Sequence, residues 1–372
     1  MIAALTPKEC ITRAGLMPKA TPKSITIAGR EVSVGGPCFV IAEAGVNHNG
    51  SLEKAIALAD VARRAGADAV KYQSFDAASL LRRDAAKPDY QLRTTGAGES
   101  QYEMLARLQL SPHAERTIAD HCGAIGLTFM STPYDAAAVD RLVEVGVPAI
   151  KIASCDLTFG PLLVSAAMSG LPIILSTGAA TLDEVRQALD LLTSAGADDV
   201  ILLQCTTSYP APAADVNLGA MTALAALGKL VGFSDHSEGM SLAIAARARG
   251  AVVIEKHFTL DRADVGPDHA ASLDPEELGL LIRAIREVEV ALGDGTKDVR
   301  DIERDTRTLM RRSVVAARDL SAGRVLTEED LAYKRPGTGE SPMKWRELIG
   351  RRLLTDLEAD HAIVGDHLAE TA

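Results

Sequence analysis

The sequence predicts a TIM (β/α)8 barrel followed by a small C-terminal module, an α/β chain in two parts. Three observations carry that prediction. Eight short apolar runs, rich in Val, Ile and Leu, alternate with helical patterns between residues 37 and 292, the repeat that a closed parallel barrel requires. Each run ends in polar residues, as strands do where they reach the carboxyl rim of such a barrel. A doubly wound open sheet is the rival arrangement, but no GxGxxG turn follows the first run.

Residues 1–23 show no clear period and read as a loose extension. Residues 24–27 and 31–34 flank Ala28-Gly29-Arg30 and read as a hairpin, so 1–36 is extension plus hairpin. The barrel then begins. Run 39–42 leads into Glu43, and a helix over 52–65 is stopped by Gly66. Ala69-Val70 leads to Lys71 and Gln73, and a polar insertion follows from Asp76 to about residue 100. A helix over 112–122 precedes run 127–130, which ends at Ser131-Thr132-Pro133. Helix 135–145 leads to run 149–152, which carries Lys151 and ends at Ser154. Helix 162–168 and run 173–175 follow, with Ser176-Thr177-Gly178 at the end of the run. Thr181 caps a helix over 182–194. Run 200–203 leads to Gln204-Cys205-Thr206-Thr207. Run 231–233 ends at Ser234 and His236; after an alanine-rich helix over 240–250, run 252–254 ends at Glu255 and His257. A helix over 275–292 completes the barrel domain, 37–292. Residues 293–309 read as a Gly- and charge-rich linker, and 310–372 as a second domain. Within it, 319–331 resembles 356–368, which reads either as a pseudo-symmetric turn-rich module or as chance.

Aromatic residues make up only 3% of the chain and the net charge is -11, which together argue against nucleic acid as a partner. An anionic substrate then has to be held by a few placed cations. The cysteines, Cys10, Cys38, Cys122, Cys155 and Cys205, are odd in number and lack CxxC spacing, as reduced cytosolic thiols do. No apolar run reaches the roughly 18 residues of a membrane helix. Lys8, Arg13 and Lys19 break any signal-peptide core. The expectation is a soluble cytoplasmic enzyme with no membrane partner.

The run ends carry the chemistry. His236 and His257 stand in matching places after consecutive runs, beside Asp235 and Glu255. Singly, each reads as a satisfied polar residue at a strand end; as a pair they suit a divalent transition metal. Lys71 and Lys151, with Ser154, Ser176, Thr177 and Ser234, suit a phosphate and a carboxylate. Two lysines pointing into a barrel mouth are costly unless they meet anions. Glu43 reads either as a proton-handling carboxylate or as a structural partner of a lysine. Metal and anion pocket together suggest an anionic substrate reacting with a carbonyl.

The motifs Ile41-Ala-Glu-Ala-Gly-Val-Asn-His-Asn-Gly50, Lys71-Tyr-Gln73, Ser131-Thr-Pro133, Lys151-Ile-Ala-Ser154 and Leu175-Ser-Thr-Gly178 occur in order. Gln204-Cys-Thr-Thr-Ser-Tyr-Pro210, Gly232-Phe-Ser-Asp-His236, Glu255-Lys-His-Phe258 and Gly266-Pro-Asp268 follow. Together they resemble the N-acetylneuraminate (sialic acid) synthase family, in its bacterial branch, over about residues 24–370. The tail, with Arg312-Ser313, Lys334-Arg-Pro-Gly337 and Gly350, resembles that family's antifreeze-like (SAF, β-clip type) domain. The resemblance implies condensation of phosphoenolpyruvate with an N-acylated mannosamine-type sugar in its open aldehyde form. A nine-carbon keto acid and phosphate would result, with C–O cleavage. It implies that His236 and His257 ligate a divalent metal, Mn2+ foremost, with Mg2+ or Co2+ as alternatives. Lys71, Thr132, Lys151, Ser154, Ser176 and Ser234 would hold phosphoenolpyruvate, and Glu43 would handle the proton or place the water. Gln73, Asp156, Thr207, Tyr209, Glu255 and Asp268 would line the sugar side. Arg335 would arrive from the partner chain of a domain-swapped homodimer.

The chain departs from the family pattern in places. It reads Lys151-Ile-Ala-Ser-Cys-Asp156 where many members read Lys-Ile-Gly-Ser-Gly-Glu, and Thr207 stands where some have asparagine. Residues 255–260 and 266–269 look like the bacterial branch that includes legionaminate synthases. N-acetylmannosamine and 2,4-diacetamido-2,4,6-trideoxymannose therefore both stand as sugars. Two other readings compete: a phosphoenolpyruvate-condensing barrel that takes phosphorylated aldehydes, and a catalytically silent sugar-binding barrel.

Overall fold

The computed structural model describes residues 24–369; the extension expected at 1–23 lies outside them. Contacts divide the chain into two compact units, with the division after Gly293.

The first unit opens with the expected hairpin, β1 (Ile25–Ile27) and β2 (Arg30–Val32), antiparallel and joined at Ala28-Gly29. The barrel units follow. β3 (Phe39–Gly45) leads to α1 (Leu52–Ala65). Ser51 caps α1 by accepting from Lys54 N, and Gly66 ends it in the left-handed conformation. β4 (Ala69–Ser74) is followed by four helices: α2 (Ala77–Leu80), α3 (Asp89–Thr95), α4 (Gln101–Leu108) and α5 (Pro112–Ala124). Then come β5 (Thr128–Pro133) and α6 (Ala136–Val145), β6 (Ile150–Ile152) and α7 (Gly160–Met168). β7 (Ile173–Ser176) leads to α8 (Leu182–Ser194), where Thr181 forms a capping box with Glu184. β8 (Val200–Cys205) and α9 (Ala220–Ala225), β9 (Leu230–Asp235) and α10 (Ser241–Ala248), and β10 (Val253–His257) and α11 (Pro275–Leu292) complete the series.

The eight strands from β3 to β10 form one parallel sheet in the order β5-β4-β3-β10-β9-β8-β7-β6. Its two ends, β5 and β6, pack side by side and bring the ring round without a shared ladder. The predicted (β/α)8 barrel is therefore the observed one, with one seam.

Strand alternation makes two apolar layers. Outward residues such as Val40, Val70, Ile150, Leu202 and Ile254 pack under the helices. Inward residues such as Phe39, Ile41, Met130, Ile174, Ile201 and Val253 fill the barrel at its amino end. Ile25, Ile27 and Val32 join that inner cluster, so the hairpin plugs the barrel from below. Arg30 pairs there with Asp68, which also accepts from Arg286 Nη2 and Val40 N, both at 2.7 Å. With the amino end plugged, the polar residues are left at the carboxyl rim.

The insertion after β4 is more structured than its polar sequence suggests. Asp76 caps α2, and Ser100 with Glu103 forms a capping box on α4. Met104 and Leu108 join Val46 and Phe75 in a small separate core. Gly50, at φ +76°, lies where a Cβ would come within 2.4 Å of the Arg107 carbonyl oxygen. The glycine thus lets α4 close directly on the loop after β3.

In the second unit, the expected linker, 293–309, is helical from residue 301, and α12 (Arg304–Met310) ends one residue beyond it. β11 (Ser313–Ala316) pairs with β12 (Leu331–Lys334), and α13 (Trp345–Leu348) follows. The faint repeat has a structural counterpart. Leu320 and Leu357 exchange both backbone hydrogen bonds, each 2.8 Å. Asp319 Oδ1 accepts from Ala359 N at 2.8 Å, and Asp356 Oδ1 accepts from Ala322 N at 2.7 Å. Short 3-10 turns at Glu328–Asp330 and Gly365–His367 occupy equivalent places. Residues 319–331 and 356–368 are thus related by a local pseudo-dyad, and chance is not the explanation of the repeat.

Candidate active site

Most of the residues singled out from the sequence line one cavity of about 490 Å³. Thr177 and Asp235 do not: Thr177 Oγ1 donates to the Leu203 carbonyl at 2.9 Å, and Asp235 pairs with Lys256 at 3.0 Å. Arg335 belongs to the second unit, where it is exposed and its guanidinium lies 3.6 Å from the Met310 sulfur. The strand register explains the convergence. His257 of β10 is opposite Glu43 of β3, which is opposite Lys71 of β4; Glu255 is opposite Ser234 of β9.

The inner half of the cavity is an ion cluster. Lys71 Nζ lies 2.8 Å from Glu43 Oε2 and donates to Thr132 Oγ1 at 2.8 Å. Lys151 Nζ donates to Ser176 Oγ at 2.7 Å and to the Ile152 carbonyl at 3.1 Å. Glu255 lies between the two ammonium groups, 3.7 Å from each, and accepts from Ser234 Oγ at 3.0 Å. All four charged groups are buried. Burial works to raise the Glu255 carboxyl, but Lys151 and Lys71 outweigh it and hold the group at about 2. Glu43 goes the other way. Burial lifts it to about 7 against the pull of Lys71, and the like charge of Glu255 adds to the rise. Its Oε2, although in ion-pair contact, accepts no well-aligned hydrogen bond. Burial also lowers Lys151, whereas Glu255 and Glu43 keep Lys71 above its ordinary value despite burial.

A backbone donor joins this cluster. Gly178 N donates to Ser154 Oγ at 2.9 Å. A Cβ at Gly178 would sit 2.4 Å from Thr207 Oγ1 and 2.9 Å from Ser154 Oγ. Only glycine lets the turn after β7 approach so closely.

The histidines form the second part. Their ring centroids are 5.4 Å apart. His236 Nδ1 is 2.9 Å from the Thr206 carbonyl, an acceptor only, so Nδ1 carries the proton and Nε2 keeps its lone pair. Nε2 faces the Tyr209 hydroxyl at 3.1 Å. Burial, with His236 adding, holds His257 well below its ordinary value, so it is neutral. Its buried Nδ1 has no hydrogen-bond partner and lies 3.9 Å from Asp268 Oδ2. Among the described residues no group of three or more His, Cys, Asp or Glu side chains is arranged around a common point to hold a metal.

Gln73, Asp156, Thr207, Tyr209 and Asp268 line the outer half. Burial lifts Asp156 and Asp268 each to about 6. Sequence reasoning missed the rest of this wall, to which the insertion contributes Leu80, Leu81, Pro88, Tyr90, Gln91, Gln101 and Leu105. Tyr90 stacks on Tyr209 at 5.0 Å, and Tyr209 stacks on His236 at 4.1 Å. The one signal available was that Tyr90 and Tyr102 are aromatics in a polar insertion of an aromatic-poor chain.

Known proteins share this architecture. The chain is 43% identical over 336 residues to the N,N'-diacetyllegionaminic acid synthase of Legionella pneumophila, covering 89% of this chain and 94% of that protein. It is 44% identical over 328 residues to the enzyme of that name from Campylobacter jejuni, covering 87% and 98% respectively. The crystal structure of the N-acetylneuraminic acid (sialic acid) synthetase of Leptospira borgpetersenii, in complex with citrate, superposes with a TM-score of 0.67 at 31% identity. That superposition covers 77% of this chain and 95% of that one. The SAF domain profile matches residues 311–369. The NeuB family profile matches residues 58–297, more than half of the chain, and with relatives this similar along nearly their whole length the chain belongs to the NeuB family.

Proposed function

We propose that this cavity condenses phosphoenolpyruvate with an unphosphorylated, N-acylated mannosamine-type sugar to give a nine-carbon keto acid and phosphate. The observation that carries the reading is the division of one cavity into two chemistries. The inner half holds both buried lysines, hydroxyls and a backbone N–H, which suits a small trianion; the outer wall mixes apolar with neutral and acidic side chains and carries no cation among the described lining residues. A phosphorylated sugar would find no counter-charge on that wall. The wall from the insertion and the relatives' names favour 2,4-diacetamido-2,4,6-trideoxymannose, with N-acetylmannosamine as the second sugar.

In this reading Lys71, Lys151, Thr132, Ser154, Ser176 and Ser234 bind the phosphate and carboxylate. Gln73, Asp156, Thr207, Tyr209, Glu255 and Asp268 position the sugar. C3 of phosphoenolpyruvate attacks the aldehyde carbon, the C=O electron pair moves onto the aldehyde oxygen, and the new C–C bond leaves C2 electron-poor. Water adds to C2 and Glu43 passes one of its protons to the aldehyde oxygen, which becomes a hydroxyl; collapse of the tetrahedral carbon re-forms C=O at C2, and phosphate leaves with the bridging oxygen and the second proton. The two histidines fit a divalent metal: His257 is neutral with its buried Nδ1 unpartnered, and His236, tied through Nδ1 to the Thr206 carbonyl, presents Nε2. Mn2+ is the expected ion, with Mg2+ or Co2+ as alternatives; when bound, it would supply Lewis-acid polarisation of the aldehyde oxygen. Arg335, exposed on the second unit, is assigned to the sugar's acyl group in the partner subunit of a domain-swapped homodimer. With no helix among the described residues long and apolar enough to cross a membrane, we place the enzyme in the cytoplasm.

Phosphate release from phosphoenolpyruvate, with Mn2+ and after chelation, tests the reading against N-acetylmannosamine, its 6-phosphate and the diacetamido sugar. Metal-dependent release, fastest with the diacetamido sugar and with Arg335→Ala raising the sugar KM, is the expected result. Release with none of the three sugars would overturn it, as would a preference for the 6-phosphate.

Glu43 sets a pH dependence. Its carboxyl titrates at about 7 because of burial, so the proton-accepting form is lost as pH falls through that value. Turnover is expected to rise from pH 6 to pH 8 and to level off above. In Glu43→Gln the rate falls roughly 10²- to 10⁴-fold and the limb disappears. A limb that survives the substitution belongs to another group.

A further inference from the structure

The outer wall carries a polar relay that the reaction above does not use. Gln101 Nε2 donates to Gln91 Oε1 at 3.3 Å, and Gln91 Nε2 donates to the Tyr90 hydroxyl at 3.0 Å. Gln91 is buried, so its amide has no cheap exchange with water. The direction of the relay matters. A phenol that accepts one hydrogen bond still has its own proton to give. No described residue accepts it. Burial, with the Asp268 charge adding, pushes this phenol above its ordinary value, so the proton is present at neutral pH.

The donor is also fixed in place. The Tyr90 ring stacks on Tyr209, which stacks on His236, making a column from the histidine pair to the insertion. Thr94 of the same helix donates to the Pro267 carbonyl at 3.5 Å. Lys87 Nζ ties the end of that helix through Thr95 Oγ1 at 2.9 Å and the Gly96 carbonyl at 3.1 Å. The insertion also gives the cavity apolar side chains, Leu80, Pro88 and Leu105. A neutral donor on a wall that also carries apolar side chains suits a neutral acceptor that bears a methyl group. An acetamido group is that ligand: its carbonyl meets the phenol and its methyl meets the leucines.

We propose that Tyr90, oriented by Gln91 and Gln101, selects the sugar by donating a hydrogen bond to the carbonyl of its second acetamido group, the one remote from the aldehyde. This inference rests on the reading of the cavity as one that condenses phosphoenolpyruvate with a diacetamido sugar. Tyr90→Phe keeps the ring stack and removes only the donor. The measurement is the ratio of kcat/KM for 2,4-diacetamido-2,4,6-trideoxymannose to kcat/KM for N-acetylmannosamine, in the wild-type enzyme and the variant. One neutral hydrogen bond lost predicts that this ratio falls roughly 3- to 10-fold. Gln101→Leu, which removes the relay's first donor and keeps the phenol, is expected to lower the same ratio by less. An unchanged ratio in Tyr90→Phe overturns the inference while leaving the function standing. A wild-type enzyme that prefers N-acetylmannosamine overturns the inference and the choice of the diacetamido sugar it rests on, while the condensation itself stands, and that outcome is seen before any substitution is made.

Discussion

Lys151→Met is expected to lower kcat/KM for phosphoenolpyruvate by roughly 10²- to 10³-fold while the protein stays folded. The magnitude follows from what truncating one member of a buried, hydrogen-bonded charge pair costs, about 2–5 kcal/mol. The fold survives because Glu255 keeps Lys71 3.7 Å away and Ser234 Oγ at 3.0 Å, so no buried carboxylate is left without a partner. What is lost is the charge beside Ser176 and the segment after β6, where a substrate anion has no substitute cation. Lys71→Met should be worse in a second way. Glu43 and Glu255 would then share the remaining lysine, and Glu43, already lifted to about 7, would rise further. Its pH–rate limb should move to higher pH, whereas that of Lys151→Met should move less, because Lys71 stays at 2.8 Å from Glu43. Steady-state kinetics across pH, with near-ultraviolet circular dichroism as the folding control, reads both. An unaltered KM for phosphoenolpyruvate in folded Lys151→Met would remove the lysine from the anion site.

Asp330→Ala should destabilise the second unit by about 1–3 kcal/mol, the usual cost of leaving buried donors, here those of Thr327, without their acceptor, while the half-exposed Arg318 and Arg324 stay hydrated. Asp330 is fully buried. Its Oδ1 accepts from Arg318 Nε at 3.2 Å and Nη2 at 2.8 Å. Its Oδ2 accepts from Arg324 Nε, Thr327 N and Thr327 Oγ1 at 2.9, 3.0 and 2.9 Å. Burial alone would raise this carboxyl, but the arginines and Thr327 outweigh it and hold it far below the usual carboxylate range. A folded pKa below the unfolded one means that the stabilisation is fully present above about pH 4 and is lost as pH falls further. The chain has a single tryptophan, Trp345, and it packs on the second unit's core, so its fluorescence reports this unit alone. Asp330→Ala should lower the temperature of the Trp345 transition and flatten its dependence on acid pH. A transition unmoved by the substitution would show that the five hydrogen bonds contribute no net stability.

Much of the barrel was legible because each strand announces itself twice, by an apolar run and by the polar residue where it meets the rim. Lys71, Lys151, Ser176, His236 and His257 were found this way, and strand register then dictates that they converge. The insertion was not legible. Helix α3 reads Asp89-Tyr-Gln-Leu-Arg-Thr-Thr95, a polar stretch too short to be helical alone, and it is held by Lys87, Pro267 and Tyr209 from outside itself. Tyr90, Gln91 and Gln101 therefore escaped notice, since nothing local to them marks a binding wall. Glu43 and Glu255 show a subtler limit. Both are acidic residues at rim positions, yet one sits at about 7 and the other at about 2: burial outweighs Lys71 at Glu43, whereas Lys151, Lys71 and the Ser234 hydroxyl together outweigh it at Glu255.

The pseudo-dyad of the second unit has a consequence for how that unit gains order. Leu320 and Ala322 find their acceptors on Leu357 and Asp356; Leu357 and Ala359 find theirs on Leu320 and Asp319. For these four amides, neither arm holds the acceptor itself. A chain with one arm in place and the other loose would carry unpaired donors on both. The two arms must therefore lock mutually, each serving as the template for the other, and partial order has no stable resting point. A sequence repeat of thirteen residues, too faint to trust by eye, thereby makes two loops a single cooperative element.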